Sequence, residues 1–255
     1  MSGEPFSVAG RVVIVTGATK GLGHAFATGL AAAGARVVVS SRKQDLCDAV
    51  AAEIVEAGGD ALPLAAHVGT WDALPGFVDG VLAHYGRVDG LVNNAGISPA
   101  FCTLTEMTES YWDKVMSTNV KGPLRLSALV APHMREAGGG SIVNVASIGG
   151  YRGHALNAHY SASKAALLNV TQSMAAEWAS WGVRVNSISP GPFRTTMMAG
   201  MERSTPGGPE QLAAATLQQR VADPAEAVGL VRFLLSDAST FITGADHEIS
   251  GGRRA

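Results

Sequence analysis

The chain alternates short, continuous apolar runs with longer stretches of helical spacing. Arg11-Val-Val-Ile-Val-Thr-Gly17 is β-branched throughout and ends in glycine, as a strand buried on both faces does. Gly21 to Ala33 has the apolar spacing of a helix, which Gly34 stops. Val37 to Val39 predicts a second strand and Gln44 to Ala57 a second helix, closed by Gly58-Gly59. Ala61 to Ala66 reads as the third strand, Trp71 to His84 as the third helix, and Val88 to Val92 as the fourth strand, ending at Asn93-Asn94-Ala95-Gly96. A long helical stretch follows from Glu109 to Glu136, with Pro123 placed to kink it. Ser141 to Val145 predicts the fifth strand, Tyr160 to Trp178 a strong apolar helix, and Val183 to Ile188 the sixth strand. After an irregular run from Pro190 to Pro209 come a last helix, Pro224 to Ser236, and a short strand within Phe241 to Ile249. Strands that alternate with helices imply an α/β, doubly wound parallel sheet of about seven strands with helices on both faces. Residues 1–255 read as one domain, whose ligand belongs at the carboxyl ends of the strands near the switch point.

Composition narrows the function. With 47% hydrophobic and only 16% charged residues the chain is not disordered, and a net charge of −2 argues against a nucleic-acid partner. Cys47 and Cys102 form no CxxC pair and no metal-ligand spacing, so neither a disulfide framework nor a metal site is expected. The first apolar run is too short for a signal-peptide core or a membrane span, which makes a cytoplasmic protein without a membrane partner the expectation.

Two places carry recognisable chemistry. Thr16-Gly-Ala-Thr-Lys-Gly-Leu-Gly23 joins the first strand to the first helix, where Gly17, Gly21 and Gly23 permit a sharp turn and close backbone approach to a pyrophosphate at a helix N-terminus. The second strand is followed by Ser40-Ser41-Arg42-Lys43, with no acid before Asp45. A carboxylate at that position would hydrogen-bond a ribose 2′-hydroxyl and repel a 2′-phosphate. Arg42 instead offers a planar fork, Ser41 a hydroxyl, and Lys20 a further cation from the first turn. The second place is the helix opened by Tyr160. Among four tyrosines only Tyr160 has a lysine four residues on, Lys164, on the same helix face. A free tyrosine titrates near pH 10, and bringing it toward neutrality takes about 3–4 kcal/mol of preference for the phenolate, much of which a fixed ammonium can supply. Ser147 lies thirteen residues upstream, just past the end of the fifth strand, so the sheet delivers it to the same site.

The Gly-x-x-x-Gly-x-Gly spacing, the Asn93-Asn94-Ala95-Gly96 segment, Ser117-Thr-Asn-Val120, Ser147 with Tyr160-x-x-x-Lys164, and Pro190-Gly-Pro-Phe-Arg-Thr195 together resemble the short-chain dehydrogenase/reductase family, over essentially Arg11 to Gly252. The resemblance implies a Rossmann fold and transfer of a hydride between a nicotinamide cofactor and a ketone or secondary alcohol. It implies that Tyr160 is the general acid for reduction and the base for oxidation, and that Ser147 orients the substrate oxygen. Lys164 then lowers the tyrosine pKa and binds the nicotinamide ribose, and Asn119 holds a helix kink and a water. It assigns Gly17, Thr19, Lys20, Gly21, Leu22 and Gly23 to the pyrophosphate turn, and Ser41 and Arg42 to the adenosine ribose. Asn94, Ala95 and Gly96 border that ribose, while Pro190, Gly191, the Phe193 backbone and the Thr195 hydroxyl reach the carboxamide. Basic residues at the positions of Lys20 and Arg42 favour NADP(H), with NAD(H) as the alternative. His67, before Val68, departs from the family's aspartate; its neutral ring can accept the adenine amino hydrogen through one nitrogen.

Met197, Met198, Met201 and Pro206-Gly207-Gly208 suggest a lid around residues 190–215. Ile148, Tyr151, Ser98 and Phe101 are candidate pocket residues, whereas His154 and His159 read as structural or surface residues. With no charged reader in view, the expected substrate is an apolar or mid-sized ketone or alcohol. Surplus apolar surface on the helices containing Val120 to Val130 and Ala165 to Trp178 points to a homotetramer or dimer, as the family pairs such helices. Competing readings are an NAD-dependent alcohol or polyol dehydrogenase of the same family, and a cofactor-sensing protein that has lost catalysis. A sugar epimerase or dehydratase of the longer branch is disfavoured by the glycine spacing.

Overall fold

The computed structural model describes residues 4–98, 101–195, 198 and 208–252. Seven strands form one parallel sheet: β1 (Val12–Thr16), β2 (Arg36–Ser40), β3 (Asp60–Pro63), β4 (Gly90–Asn93), β5 (Gly140–Val145), β6 (Val183–Pro190) and β7 (Asp246–Ile249). Their order is β3-β2-β1-β4-β5-β6-β7, so the winding reverses between β1 and β4.

Alternation along the strands divides the interior in two. Val13 and Val15 of β1 and Val37 and Val39 of β2 face the layer of α1 (Gly21–Ala32), α2 (Gln44–Glu56) and, near the C-terminus, the helix Val228–Leu235; Phe26, Leu30, Ile54 and Leu234 fill it. Val12, Ile14 and Val38 face the opposite layer, α3 (Leu74–Tyr85), α5 (Gly122–Glu136) and α6 (Ala158–Trp178), filled by Phe77, Leu126, Met134 and Trp178. Burial of each such side chain contributes about 1.5–3 kcal/mol. The remaining helices in chain order are α4 (Glu109–Met116), α7 (Gly208–Ala214) and the C-terminal Val228–Leu235, here α8.

The expected order of elements holds, and the departures have local causes. β3 stops at Pro63, whose missing N–H ends the regular ladder short of Ala66. The long helix is interrupted by a π-helical turn, Ser117–Lys121, while Pro123 sits at the start of α5 where no donor is needed; Pro132 is the proline inside that helix. The last helix begins as a 3₁₀ turn, Pro224–Ala227, capped by Asp223. α7 begins at the last two residues of the run read as irregular and continues beyond it, where no element was expected, and the final strand starts only at Asp246, after Gly244 at φ +72°.

A polar ladder crosses the buried centre. Asn93 on β4 donates through Nδ2 to Ser127 Oγ on α5 (3.0 Å) and to Asn144 Oδ1 on β5 (2.8 Å), and Asn144 donates to Thr171 Oγ1 on α6 (2.8 Å). These bonds tie α5 and α6 to the middle of the sheet and fix where the Tyr160 helix runs.

Candidate active site

The strand ends open into a cavity of about 880 Å³. Its first wall is the turn between β1 and α1. Gly17 has φ +65° and Gly21 φ +55°, conformations that favour glycine. A Cβ on Gly17 would stand 2.9 Å from Ala95 Cα, so this backbone is pressed against the segment after β4. The contact is held by Thr16, whose Oγ1 accepts from the Asn94 and Ala95 amides (3.1 and 3.0 Å), while Asn94 Nδ2 donates to the carbonyls of Thr16 and Gly17 (2.9 and 3.2 Å). Thr19, Lys20, Gly21 and Leu22 line the cavity with Gly17. Gly23 does not: its Cβ would fall 2.2 Å from the Gly17 carbonyl oxygen, so it serves helix–turn packing instead. Lys20 is the N-cap of α1 and its side chain caps nothing, which leaves first-turn N–H groups available to an anion.

Ser41, Arg42 and Lys43 line the cavity beyond β2, with His67 and Val68 beside them. Among the described residues, Lys20, Arg42 and Lys43 form no ion pair. His67 differs from expectation. Its Nδ1 accepts from the Gly69 amide at 3.1 Å, so the neutral ring carries its proton on Nε2 and presents a donor to the cavity end, not the expected acceptor.

The central cluster comes from β5 and α6. Ser147, extended at φ −175°, follows β5; its Oγ accepts from the Gly149 amide at 3.1 Å and stands beside the Tyr160 side chain. Gly149 packs against both, since a Cβ there would lie in ordinary contact, 3.4 Å from Ser147 Oγ and 3.5 Å from Tyr160 Cε1. Lys164 is 4% exposed and donates to the Val145 carbonyl at 2.7 Å, with Nζ 5.8 Å from the Tyr160 ring centroid. Burial holds the Lys164 pKa down to about 8. Burial also pushes the Tyr160 hydroxyl above its ordinary value, with the neighbouring Ser147 side chain pulling the other way.

Asn119 does not line the cavity. It is wholly buried in the π turn; its Oδ1 accepts from the Ile97 amide (2.8 Å) and its Nδ2 donates to the Ile97 carbonyl (2.9 Å) and to Ser163 Oγ (2.9 Å). It clamps the segment carrying Asn94, Ala95 and Gly96 to α6, one residue before Lys164.

Pro190, Gly191, Phe193 and Thr195 complete the wall after β6. Thr195 Oγ1 accepts from the Met198 amide at 3.2 Å and keeps its own hydrogen to donate. Of the expected pocket and lid residues, Ile148, Phe101 and Met198 line the cavity and Ser98 does not. Gly208 opens α7, whose Leu212 is a further lining residue; Met197, Met201, Pro206 and Gly207 lie outside the described residues. Tyr151 points elsewhere, donating to Asp246 Oδ2 at 2.6 Å. His159 is buried against Cys102 and Tyr111, but His154 lines the cavity, as do Arg152 and Asn157. Nothing in the spacing of these last residues marks them, because they lie on an irregular connection. Among the described residues no helix is long and apolar enough to cross a membrane.

The comparisons with known proteins agree with this architecture. The family described as short chain dehydrogenase matches residues 11–205. Dehydrogenase/reductase SDR family member 4 from Bos taurus is 38% identical over 242 residues, covering 95% of this chain and 86% of its own. A short-chain type dehydrogenase/reductase from Mycobacterium marinum is 34% identical with a TM-score of 0.92, over 98% of this chain and 97% of its own. A gluconate 5-dehydrogenase from Burkholderia cenocepacia, solved in complex with NADP and tartrate, is 30% identical with a TM-score of 0.92, over 97% and 96%. The chain belongs to the short-chain dehydrogenase/reductase family and is an NAD(P)-dependent oxidoreductase acting on small molecules. The glycine cradle, the uncapped α1 N-terminus and the unpaired cations fit a phosphate-bearing dinucleotide.

The buried ammonium of Lys164 costs stability. Its folded pKa of about 8 lies below the ordinary 10.5, so the penalty is full below pH 8 and fades as pH rises toward 10.5. Lys164→Met, without added nucleotide, should be more stable at pH 7 by roughly 2 kcal/mol after allowing for the lost bond to Val145, or a few degrees in Tm. The advantage should shrink between pH 8 and pH 10. Thermal melts showing a less stable variant at pH 7, or a pH-independent gap, would contradict this.

Proposed function

We propose that this protein is an NADP(H)-dependent reductase of a ketone, or dehydrogenase of the matching secondary alcohol, with Tyr160 as the proton donor and acceptor. The observation that carries the reading is the convergence of the Ser147 and Tyr160 hydroxyls and the Lys164 ammonium on one cavity that also holds the glycine turn. The nicotinamide supplies or takes up the hydride and in its oxidised form carries a positive charge into that cavity.

In reduction, the Tyr160 hydroxyl gives its proton to the substrate oxygen as that oxygen takes the electrons of the C=O π bond. Ser147 donates to the same oxygen and stabilises the charge developing there. Burial alone makes Tyr160 a poor acid, so positive charge has to oppose it. Lys164, fixed by Val145 and still protonated at neutral pH, supplies it. Lys164 also offers its remaining hydrogens to the ribose. Asn119 positions the loop and helix on which these groups sit. Preference for NADP(H) rests on Lys20, Ser41 and Arg42, three groups suited to a 2′-phosphate and without an acid among them.

Tyr160→Phe keeps the ring and removes the proton. It should cut kcat by at least about a thousandfold while the nucleotide still binds; unchanged turnover would refute the mechanism. Arg42→Ala should weaken NADPH binding about tenfold or more and leave NADH binding within about twofold. Equal loss of both in a nucleotide titration would remove the phosphate role.

A further inference from the structure

The cavity is one-sided in charge. The chain contains 21 acidic residues, yet among the described residues no aspartate or glutamate lines the cavity. Besides Lys164, His67 and Lys114 of α4, its basic side chains fall into two groups. Lys20, Arg42 and Lys43 belong to the β1 and β2 ends, beside the glycine turn, and are matched by the phosphates of a dinucleotide. Arg152 and His154 come from a different place, the connection that runs from Ser147 to Tyr160. The residues that meet the reacting oxygen bracket this connection, so its side chains face substrate and not pyrophosphate.

Its conformation is braced. Tyr151, next to Arg152, is tied by its hydroxyl to Asp246, and the Leu156 carbonyl, at a residue with φ +65°, accepts from the Cys102 amide at 3.0 Å. Arg152 forms no ion pair among the described residues. Asn157, 8% exposed and on the same wall, has a side-chain oxygen with no hydrogen-bond partner, an acceptor for a substrate hydroxyl and not for a carboxylate. A planar guanidinium and a neighbouring imidazole at a cavity mouth without acids suit a carboxylate, which Arg can hold through two parallel hydrogen bonds.

We infer that the substrate is a keto acid or hydroxy acid whose carboxylate is bound by Arg152 with help from His154, while Ser147 and Tyr160 meet the carbonyl or hydroxyl. This rests on the carbonyl-reductase reading above and replaces the apolar ketone expected from the sequence.

The test is NADPH oxidation with pyruvate, acetoacetate and laevulinate against their methyl esters, on wild type, Arg152→Gln and Arg152→Lys. At least one acid should exceed its ester in kcat/KM by about tenfold or more. Arg152→Gln should reduce that ratio to near one by raising KM for the acid, and Arg152→Lys should retain most of it. Esters reduced as well as the acids, or an acid preference that survives in Arg152→Gln, would overturn the anion site and leave the reductase reading standing. Turnover of neither series would overturn the reductase reading and the anion site with it.

Discussion

The active site depends on a single buried charge. Lys164 places an ammonium in a nearly dry environment, fixed by the carbonyl of Val145 at 2.7 Å. An ammonium so placed is held down to a pKa of about 8, and the surrounding fold has to carry its cost. Several features follow from accommodating it. Gly96 borders it, with the position of a Cβ 3.5 Å from Nζ, an ordinary contact. Gly150 lets the turn after Ser147 rest on the helix backbone at Lys164, where a Cβ would come to 2.9 Å. The π turn brings Asn119 against Ser163, the neighbouring residue. The charge is costly to fold and, under the proposed mechanism, useful in catalysis, the usual relation between stability and a working site.

The larger organisation was legible in the sequence because it rests on periodicity. Continuous β-branched runs and helical spacing mark elements whose burial is dictated by their own residues, and Val12 to Thr16 or Phe26 to Leu30 could pack in few other ways. The Tyr160–Lys164 pair was legible because helix geometry alone puts both on one face. What escaped depends on contacts between segments. A kink at Asn119 was expected from the family resemblance, but its partners Ile97 and Ser163, which hold the π turn, are encoded by no local pattern. Gly23 looks like a phosphate residue by its spacing but packs against Gly17. The donor state of His67 is decided by the Gly69 amide. Arg152 and His154 were hardest to read, since a loop has no period and only the fold shows which way its side chains face.

The cavity joins two demands. At one end, backbone amides and unpaired cations meet an anionic dinucleotide. At the other, the hydroxyls of Ser147 and Tyr160 and the Lys164 ammonium gather where the proposed mechanism moves a proton. Both ends hang on the same sheet, and the Thr16 and Asn119 side chains connect the loops between them, so their spacing is a property of the core and not of flexible surface.

The central claim is that Tyr160, raised by burial, becomes an effective acid once positive charge surrounds it. The other three tyrosines provide an internal standard. Burial and Asp60 push Tyr85 up, burial and the nearby Cys102 push Tyr111 up, and burial with the Asp246 hydrogen bond brings Tyr151 up to about 12. The most direct measurement is therefore a carbon NMR titration of the protein loaded with NADP⁺ and labelled at the tyrosine ζ carbons. The account predicts one signal of the four titrating clearly below the ordinary value of about 10. Four signals that all titrate at or above that value would contradict it.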